Sequence, residues 1–368
     1  MASQFSLGIE QEFQLVDRHT GDLSPSIESI LTKGAPFLKG KIKAEEKQAC
    51  VELITDICPT IEDARAELQT LHGLLRQVVE QEELALISAG THPNARWQDQ
   101  KTTEKDHYRK LVEEFQDIER MLVIYGLHIH IGIEDKNVAI SLMNQLRTWL
   151  PHLLALSTNS PFWEGRYTGL KSFRSALWKP ILRSGLPEIV ASWQHYTRYI
   201  DDLVSMGCIE NGKDVYWDIR PHPFFPTLEF RIFDMPATSR DTLALAALCQ
   251  ALVMKLAWLY RQQITLPALP RDYVEENKWR AMRYGLDAAI IDFVNRRPVA
   301  MRDSIHELLD FVDDVIDDLG SRNEIQYLRV LLDDPRGTGA DRQIAIYQQS
   351  NDINKVTHYL LQQMQDVC

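Results

Sequence analysis

Cysteine is scarce in this sequence, and its pattern is unpaired. Cys50, Cys58, Cys208, Cys249 and Cys368 are scattered, odd in number and form no CxxC. That argues against a disulfide framework or a structural zinc site and fits reduced thiols in a cytoplasm. Repeats and low-complexity tracts are missing, which sets aside solenoids and disordered chains. Long apolar runs are nearly missing too. The longest, Leu243 to Tyr260, carries Gln250 and Lys255. A lysine at membrane depth would cost roughly 3 kcal/mol, so this run reads as a buried helix. Met1 to Leu7 lacks the basic and apolar regions of a signal peptide. Positive charge is in deficit: 40 Lys and Arg against 52 Asp and Glu leave a net charge of -12. An acidic chain is a poor partner for a nucleic-acid backbone. The expected partners are small molecules, with no membrane; the oligomeric state stays open, a homo-oligomer included.

What is present is ordinary globular material: 368 residues, 45% apolar and 25% charged, enough for a sizeable core. Phe5 to Val16, Ala49 to Thr55, Leu84 to Ser88 and Leu122 to Ile133 read as strands. Glu62 to Glu83 has helical spacing, with Leu68, Leu71, Leu75, Val78 and Val79 on one face. Asp106 to Arg120 and Asn137 to Leu156 are also helical, the latter bent near Pro151. Val215 to Arg220 and Thr227 to Phe233 are short strands joined by a rigid, proline-rich turn, Pro221 to Pro226. Beyond Met235 the pattern is helical: Ser239 to Gln262, Arg302 to Leu319, Glu324 to Leu332 and Asp341 to Gln365. Strands returning by turns, with helices gathered late, predict an α+β fold around a mostly antiparallel sheet. No linker divides it, so residues 1–368 read as one domain, with 239–368 mainly helical.

Strands send alternate side chains to opposite faces. In the first strand Phe5, Leu7, Ile9, Gln11, Phe13 and Leu15 share one face, while Ser6, Gly8, Glu10, Glu12 and Gln14 share the other. The same parity sets Glu52 against Val51 and Leu53, and sets His128, His130, Gly132 and Glu134 against an apolar row. It also groups Tyr216, Asp218 and Arg220, and then Thr227, Glu229 and Arg231. A solvated sheet face is the ordinary reading of any one such strand. Across all five, however, the polar faces carry no lysine. Neighbouring carboxylates repel unless a cation holds them, and an oxygen-rich set with imidazole suits Mg²⁺ or Mn²⁺.

Metals on carboxylates bridge the phosphates of ATP, and arginines neutralise charge on a phosphoryl group in transfer. The sequence has no GxxxxGK[ST] loop and no GxGxxG after a strand, so ATP would be held by metal and arginine. Gly337-Thr338-Gly339-Ala340-Asp341-Arg342 reads either as a phosphate loop, with Arg342 as its cation, or as a turn and cap before a helix.

In this order the motifs resemble the glutamate–cysteine ligase type 2 family, and within it the carboxylate–amine ligases. They are Gly8-Ile9-Glu10-Gln11-Glu12-Phe13, Glu52, His128-Ile129-His130-Ile131-Gly132, Asn159 to Trp163, Ser172-Phe173-Arg174-Ser175, Trp217-Asp218-Ile219-Arg220-Pro221, Leu228 to Asp234, Asn277-Lys278-Trp279-Arg280 and Gly339 to Gln343. The resemblance implies a glutamine-synthetase-like sheet curved into a funnel, with helices on its outer face. It also implies ATP-dependent γ-glutamyl transfer to the amine of cysteine or a related acceptor. By the same resemblance Glu10, Glu12, Glu52, His130 and Glu229 form the metal shell. Arg231 contacts phosphate, Arg174 and Arg220 meet substrate carboxylate or phosphate, and Asp218 belongs to the substrate side. Relatives often carry a carboxylate where this chain has Gln48, a gap that Glu45 or Glu46 could fill. His128 is expected to position rather than ligate, because two imidazoles on an Mg²⁺ site are unusual. A phosphoryl-transfer kinase, a metal-dependent amide hydrolase and a non-catalytic nucleotide-binding relative are the rival readings.

Overall fold

The computed structural model describes residues 2–365; Met1 and 366–368, Cys368 among them, lie outside the described residues. Its frame is a 7-stranded sheet. The strands are β1 (Leu7–Asp17), β2 (Ile42–Ala44), β3 (Cys50–Ile54), β4 (Leu84–Ile87), β5 (Gly126–Gly132), β6 (Ile219–Pro221) and β7 (Thr227–Asp234). Their order is β6-β7-β5-β1-β3-β2, with β4 on the far end of β1, and every pairing is antiparallel. Glu10 and Gln11 pair with both β3 and β5, and Gln14 with both β3 and β4. One edge of β1 is therefore taken by β3, and the other by β5 and β4 in succession.

The alternation read from the first strand is what the structure buries. Leu7, Ile9, Phe13 and Leu15 are fully inside, and Gln11 lies among them. Its amide is satisfied there, donating to Thr242 Oγ1 (3.1 Å) and accepting from His72 Nε2 (2.7 Å). Against this apolar side pack α1 (Ile61–Glu80), closed by a Thr60–Asp63 capping box, and, beyond α2 (Asp106–Phe115), α3 (Lys136–Leu146) and α4 (Leu150–Ser157). The short α5 (Phe173–Trp178) follows, and then the long core helix α6 (Ser239–Arg261). α6 is long and apolar enough to cross a membrane, yet every residue from Asp241 to Ala257 is buried. A helix apolar all round belongs in a core, and Lys255 finds Asp314 there. The helical remainder includes α7 (Arg271–Tyr284) and α8 (Gly339–Ser350).

Most expected elements stand, but the helix read over Arg302 to Leu319 divides at 312–315, and that over Asn137 to Leu156 breaks at the 3₁₀ turn Arg147–Trp149 rather than at Pro151. The helix read from Asp106 stops at Gln116, held at φ 53°. The last helix divides at Asn351, which is left-handed. Leu122 to Tyr125 stays outside β5. The strand expected over Val215 to Arg220 is two short pieces broken at Asp218. The helices Ile27–Leu38 and Arg271–Tyr284 were not anticipated. Pro36 in the first and the strongly polar face of the second blur a 3.6-residue period.

Candidate active site

Register brings the polar side chains of the sheet together in rows. Glu12 on β1 lies opposite Glu52 on β3, which lies opposite Lys43 on β2. Glu10 lies opposite His128 on β5. The third row runs from Gly8 through His130 and Glu229 to Arg220. Gly8 ends that row beside His130, and a Cβ there would make only an ordinary contact with the His130 Cβ at 3.4 Å. The rows floor a cavity of about 580 Å³ whose walls include Lys105, Tyr108 and Phe115 from α2 and its start, and Arg174 and Trp178 from α5.

Two groups of ligand-type atoms form on this floor, each within 4.8 Å: Glu10, Glu52 and His128, and Glu10, His130 and Glu229. Glu10 belongs to both. Its Oε2 lies 3.1 Å from His128 Nδ1 and its Oε1 lies 3.4 Å from His130 Nε2. His130 Nδ1 meets Thr227 Oγ1 at 3.1 Å, which leaves Nε2 turned to the carboxylates with no hydrogen-bond partner among the described residues. Glu12 stands apart from both groups, because its Oε2 accepts the Gly126 N–H. Parity set Glu12 and Glu10 alike; the backbone donor across the strand separates them.

Charge on the floor is unevenly balanced. Burial pushes Glu52 well above the usual carboxylate range, and Glu45, Glu10 and Glu12 add repulsion. Burial, with Glu12 and Glu10, raises Glu45 to about 7. Glu10 is also buried, but the adjacent imidazoles of His128 and His130 override that and hold it well below its ordinary value. Burial of Glu229 is likewise outweighed by Arg220 and Arg231. A divalent cation supplies what the carboxylates at the Glu52 end lack, and oxygen ligands with an unpartnered imidazole nitrogen fit Mg²⁺ or Mn²⁺.

The arginines divide by what they touch. Arg220 is committed: Nε meets Glu229 Oε2 at 2.7 Å, and Nη1 donates to the Lys213 carbonyl (2.8 Å) and the Val215 carbonyl. It clamps Glu229 rather than facing the cavity freely. Arg231 gives one nitrogen to Glu229 (2.5 Å) and keeps its Nε unpartnered. Arg174 is buried with Nε unpartnered, and burial lowers its pKa. Its placement is specified from behind. Ser172 caps α5, Ser160 Oγ accepts the Arg174 N–H (3.0 Å), and both hydroxyls donate to Asp234 at 2.7 Å. Its guanidinium then lies over Gly126, where a Cβ would fall 2.4 Å from Nη2.

Two other expected residues lie elsewhere. Asp218 sits at the break before β6, so the parity shared with Arg220 does not hold there; its Oδ2 meets Lys278 Nζ at 2.6 Å. Arg342 is in the first turn of α8, bonded to the Thr338 carbonyl and 3.9 Å from Asp241, away from the cavity lining. The Thr338–Asp341 pair there is a capping box. Gln48 turns its amide to the Thr102 carbonyl (3.2 Å), while Glu45 and Glu46 line the cavity. Glu46 pairs with Lys47, whose Nζ also reaches the Glu119 carbonyl at 3.2 Å. Glu119, Lys105 and Tyr108 were missed because they sit on a loop and helix, where strand parity says nothing; the Glu45-Glu46 pair was the only available signal.

The sheet and its packing are those of the glutamine-synthetase-like fold, which solved ligases share. The structure superimposes on a bifunctional glutathione synthetase from Pasteurella multocida (TM-score 0.75, 16% identity, 99% of this chain and 52% of that one). It also superimposes on a glutamate–cysteine ligase from Francisella tularensis solved with AMP (TM-score 0.71, 14% identity, 99% and 89%). The sequence model of glutamate–cysteine ligase family 2 matches residues 6–358, and the chain belongs to that family. Among its relatives, proteins named "Putative glutamate–cysteine ligase 2" from Solibacter usitatus and Roseiflexus castenholzii are 44% and 45% identical. Each alignment spans 97% of this chain, with 93% and 94% of the relatives.

Proposed function

We propose that the chain is an ATP-dependent carboxylate–amine ligase that activates glutamate as an acyl phosphate and passes the γ-glutamyl group to an amine such as that of cysteine. The observation that carries this reading is the pair of ligand groups sharing Glu10 beneath two incompletely partnered arginines. Family membership supports the amide-forming outcome. His128, expected only to position, takes a ligand's place beside Glu10 and Glu52, which with it would hold one Mg²⁺; Glu10, His130 and Glu229 would hold a second, with Glu45 near the first. Bound there, the metal supplies charge neutralisation to the phosphates of ATP.

The residues of the chain do the rest. Arg231, fixed through Glu229, turns its guanidinium toward the phosphoryl group, and Arg174 offers its guanidinium to substrate carboxylate or phosphate. Arg220 keeps Glu229 ionised and oriented. Gly126 leaves the space that the Arg174 guanidinium occupies. The substrate carboxylate oxygen attacks the γ-phosphorus and ADP leaves; the amine then attacks the acyl carbon, phosphate leaves, and the amine loses its proton. Walls from α2 narrow water access, which matters because an acyl phosphate hydrolyses.

Glu10→Gln is expected to lower amine-dependent ADP release about a hundredfold or more, and to weaken Mn²⁺ binding measured calorimetrically. Undiminished release from the folded variant would sink the site assignment. ADP formed equally fast without any amine would instead identify a kinase.

A further inference from the structure

Two His-Pro steps in this chain fold the same way, and only one of them is completed by the protein itself. At His92-Pro93 the imidazole Nδ1 accepts the N–H groups of Asn94 (3.2 Å) and Ala95 (2.9 Å), and Nε2 donates to the Gly21 carbonyl at 2.8 Å. At His222-Pro223 the Nδ1 likewise accepts the N–H groups of Phe224 (3.3 Å) and Phe225 (3.0 Å). Two backbone donors on Nδ1 leave the proton of a neutral ring on Nε2. In His222 that Nε2–H meets no acceptor among the described residues, although the side chain is buried. A buried donor left in this way is costly unless a ligand or water completes it.

The free donor stands at the edge of the metal floor. The His222 N–H bonds the Thr227 carbonyl at 2.9 Å, which carries the β6–β7 pairing one step beyond Pro221 and Leu228. His222 thereby extends the parity of Arg220, as Thr227 does that of Glu229, and Thr227 Oγ1 in turn meets His130 Nδ1. The His222 ring stacks on Phe225 (centroids 4.5 Å apart, 8° between planes) and lies T-shaped to His130 at 5.4 Å. One face is thus covered and Nδ1 is turned back onto its own turn. The Nε2 edge is what remains to meet the main cavity, which His222 lines. Pro221, Pro223 and Pro226 stiffen the turn, so the donor is held in place before any ligand arrives.

We propose that His222 binds a phosphate oxygen of the nucleotide through Nε2–H, at the His130–Glu229 end of the floor. The assignment rests on the ligase reading above only in taking ATP with its metal as the occupant of that floor. A neutral N–H suits this place, because it holds an anionic oxygen without adding a positive charge beside the metal. A histidine that only closed the turn and packed on His130 would act through Nδ1 and its ring, and Nε2 would be idle.

Two amides separate these roles. Asparagine keeps the turn, since its Oδ1 can accept the two backbone N–H groups, but it carries no donor as far as Nε2. Glutamine does the reverse, reaching the Nε2 position with its amide N–H and giving up the turn. Calorimetry on the full-length protein compares wild type, His222→Asn and His222→Gln with Mn²⁺ alone, Mn²⁺–tripolyphosphate and the Mn²⁺ complex of a non-hydrolysable ATP analogue. His222→Asn is expected to bind both phosphate probes about tenfold more weakly, with His222→Gln within about threefold of wild type. Mn²⁺ alone should bind all three proteins alike.

The opposite order, with His222→Asn like wild type and His222→Gln weak, would overturn the proposal and leave a turn cap. A loss shared by Mn²⁺ alone would overturn it too, as support for His130. So would a wild type that binds Mn²⁺ but neither phosphate probe. These measurements need no turnover, so ADP release independent of any amine would remove the ligase reading while this contact stood.

Discussion

At the scale of single residues, the site depends on what glycine and arginine leave unfilled. Gly126 has no side chain, and the Arg174 guanidinium occupies that space, so Gly126→Ala must push the arginine or the strand. The expected cost is about 1–3 kcal/mol in urea unfolding, with a fall in turnover larger than stability alone explains. Turnover equal to wild type would show that Arg174 tolerates displacement. Glu10, Glu12, His128, His130 and Glu229 were legible because a strand fixes side-chain direction with period two, and their rows formed as that parity requires. Glu119 was not, since helix ends carry no comparable rule, and Glu45 and Glu46 were marked only through the resemblance, as substitutes for the carboxylate absent at Gln48. Arg220 was visible as a polar-face residue, but its commitment to Glu229 depends on cross-strand register, which one strand's pattern does not contain.

Among elements, the junction that aims α5 rests on one buried carboxylate. Asp234, at the end of β7, accepts from Ser160, Ser172 and the Asn159 N–H, and Asn159 in turn meets Gln343 of α8 at 2.7 Å. Burial raises the Asp234 pKa despite Arg174 and these donors. Asp234→Ala strands several buried donors at once, and the expected loss is about 2–4 kcal/mol in urea unfolding. A loss under about 1 kcal/mol would mean that the junction rearranges. The sequence marked Asn159 to Trp163, Ser172 to Ser175 and Gly339 to Gln343 as motifs. Their meeting at Asp234 was not legible, because it joins segments far apart in the chain. The break at Asp218 was hidden for a related reason: Tyr216 and Trp217 pair with Ser184 and Gly185 while Ile219 to Pro221 pair with β7, and a change of partner leaves no trace in Val215 to Arg220.

For the molecule as a whole, acid is the expected weakness. Burial lowers His72, His92 and His152 each to about 4, whereas an exposed histidine titrates near 6.5. The folded pKa values lie below the unfolded ones, so the unfolded chain binds protons first. Their stabilisation is complete above about pH 6.5 and drains as pH falls toward 4, by about 3 kcal/mol for each histidine. Glu45 and Glu52 titrate in the opposite sense, so the single variant isolates the term. Urea unfolding of His152→Asn across that range should depend on pH less steeply than wild type, by about one proton. An unchanged slope would mean that His152 is already protonated in the fold.

The strand order carries a consequence for how the protein is made. β1 leaves the ribosome first, yet its neighbours arrive from residues 50–54, 84–87 and 126–132, and β7 completes the floor only at residues 227–234. Until then the carboxylates of a nascent chain lack Glu229 and Arg231, although β5 has already brought His128 and His130. On the proposed reading, a translation product truncated before β7 lacks Glu229 and Arg231 and is expected to be inert rather than wasteful.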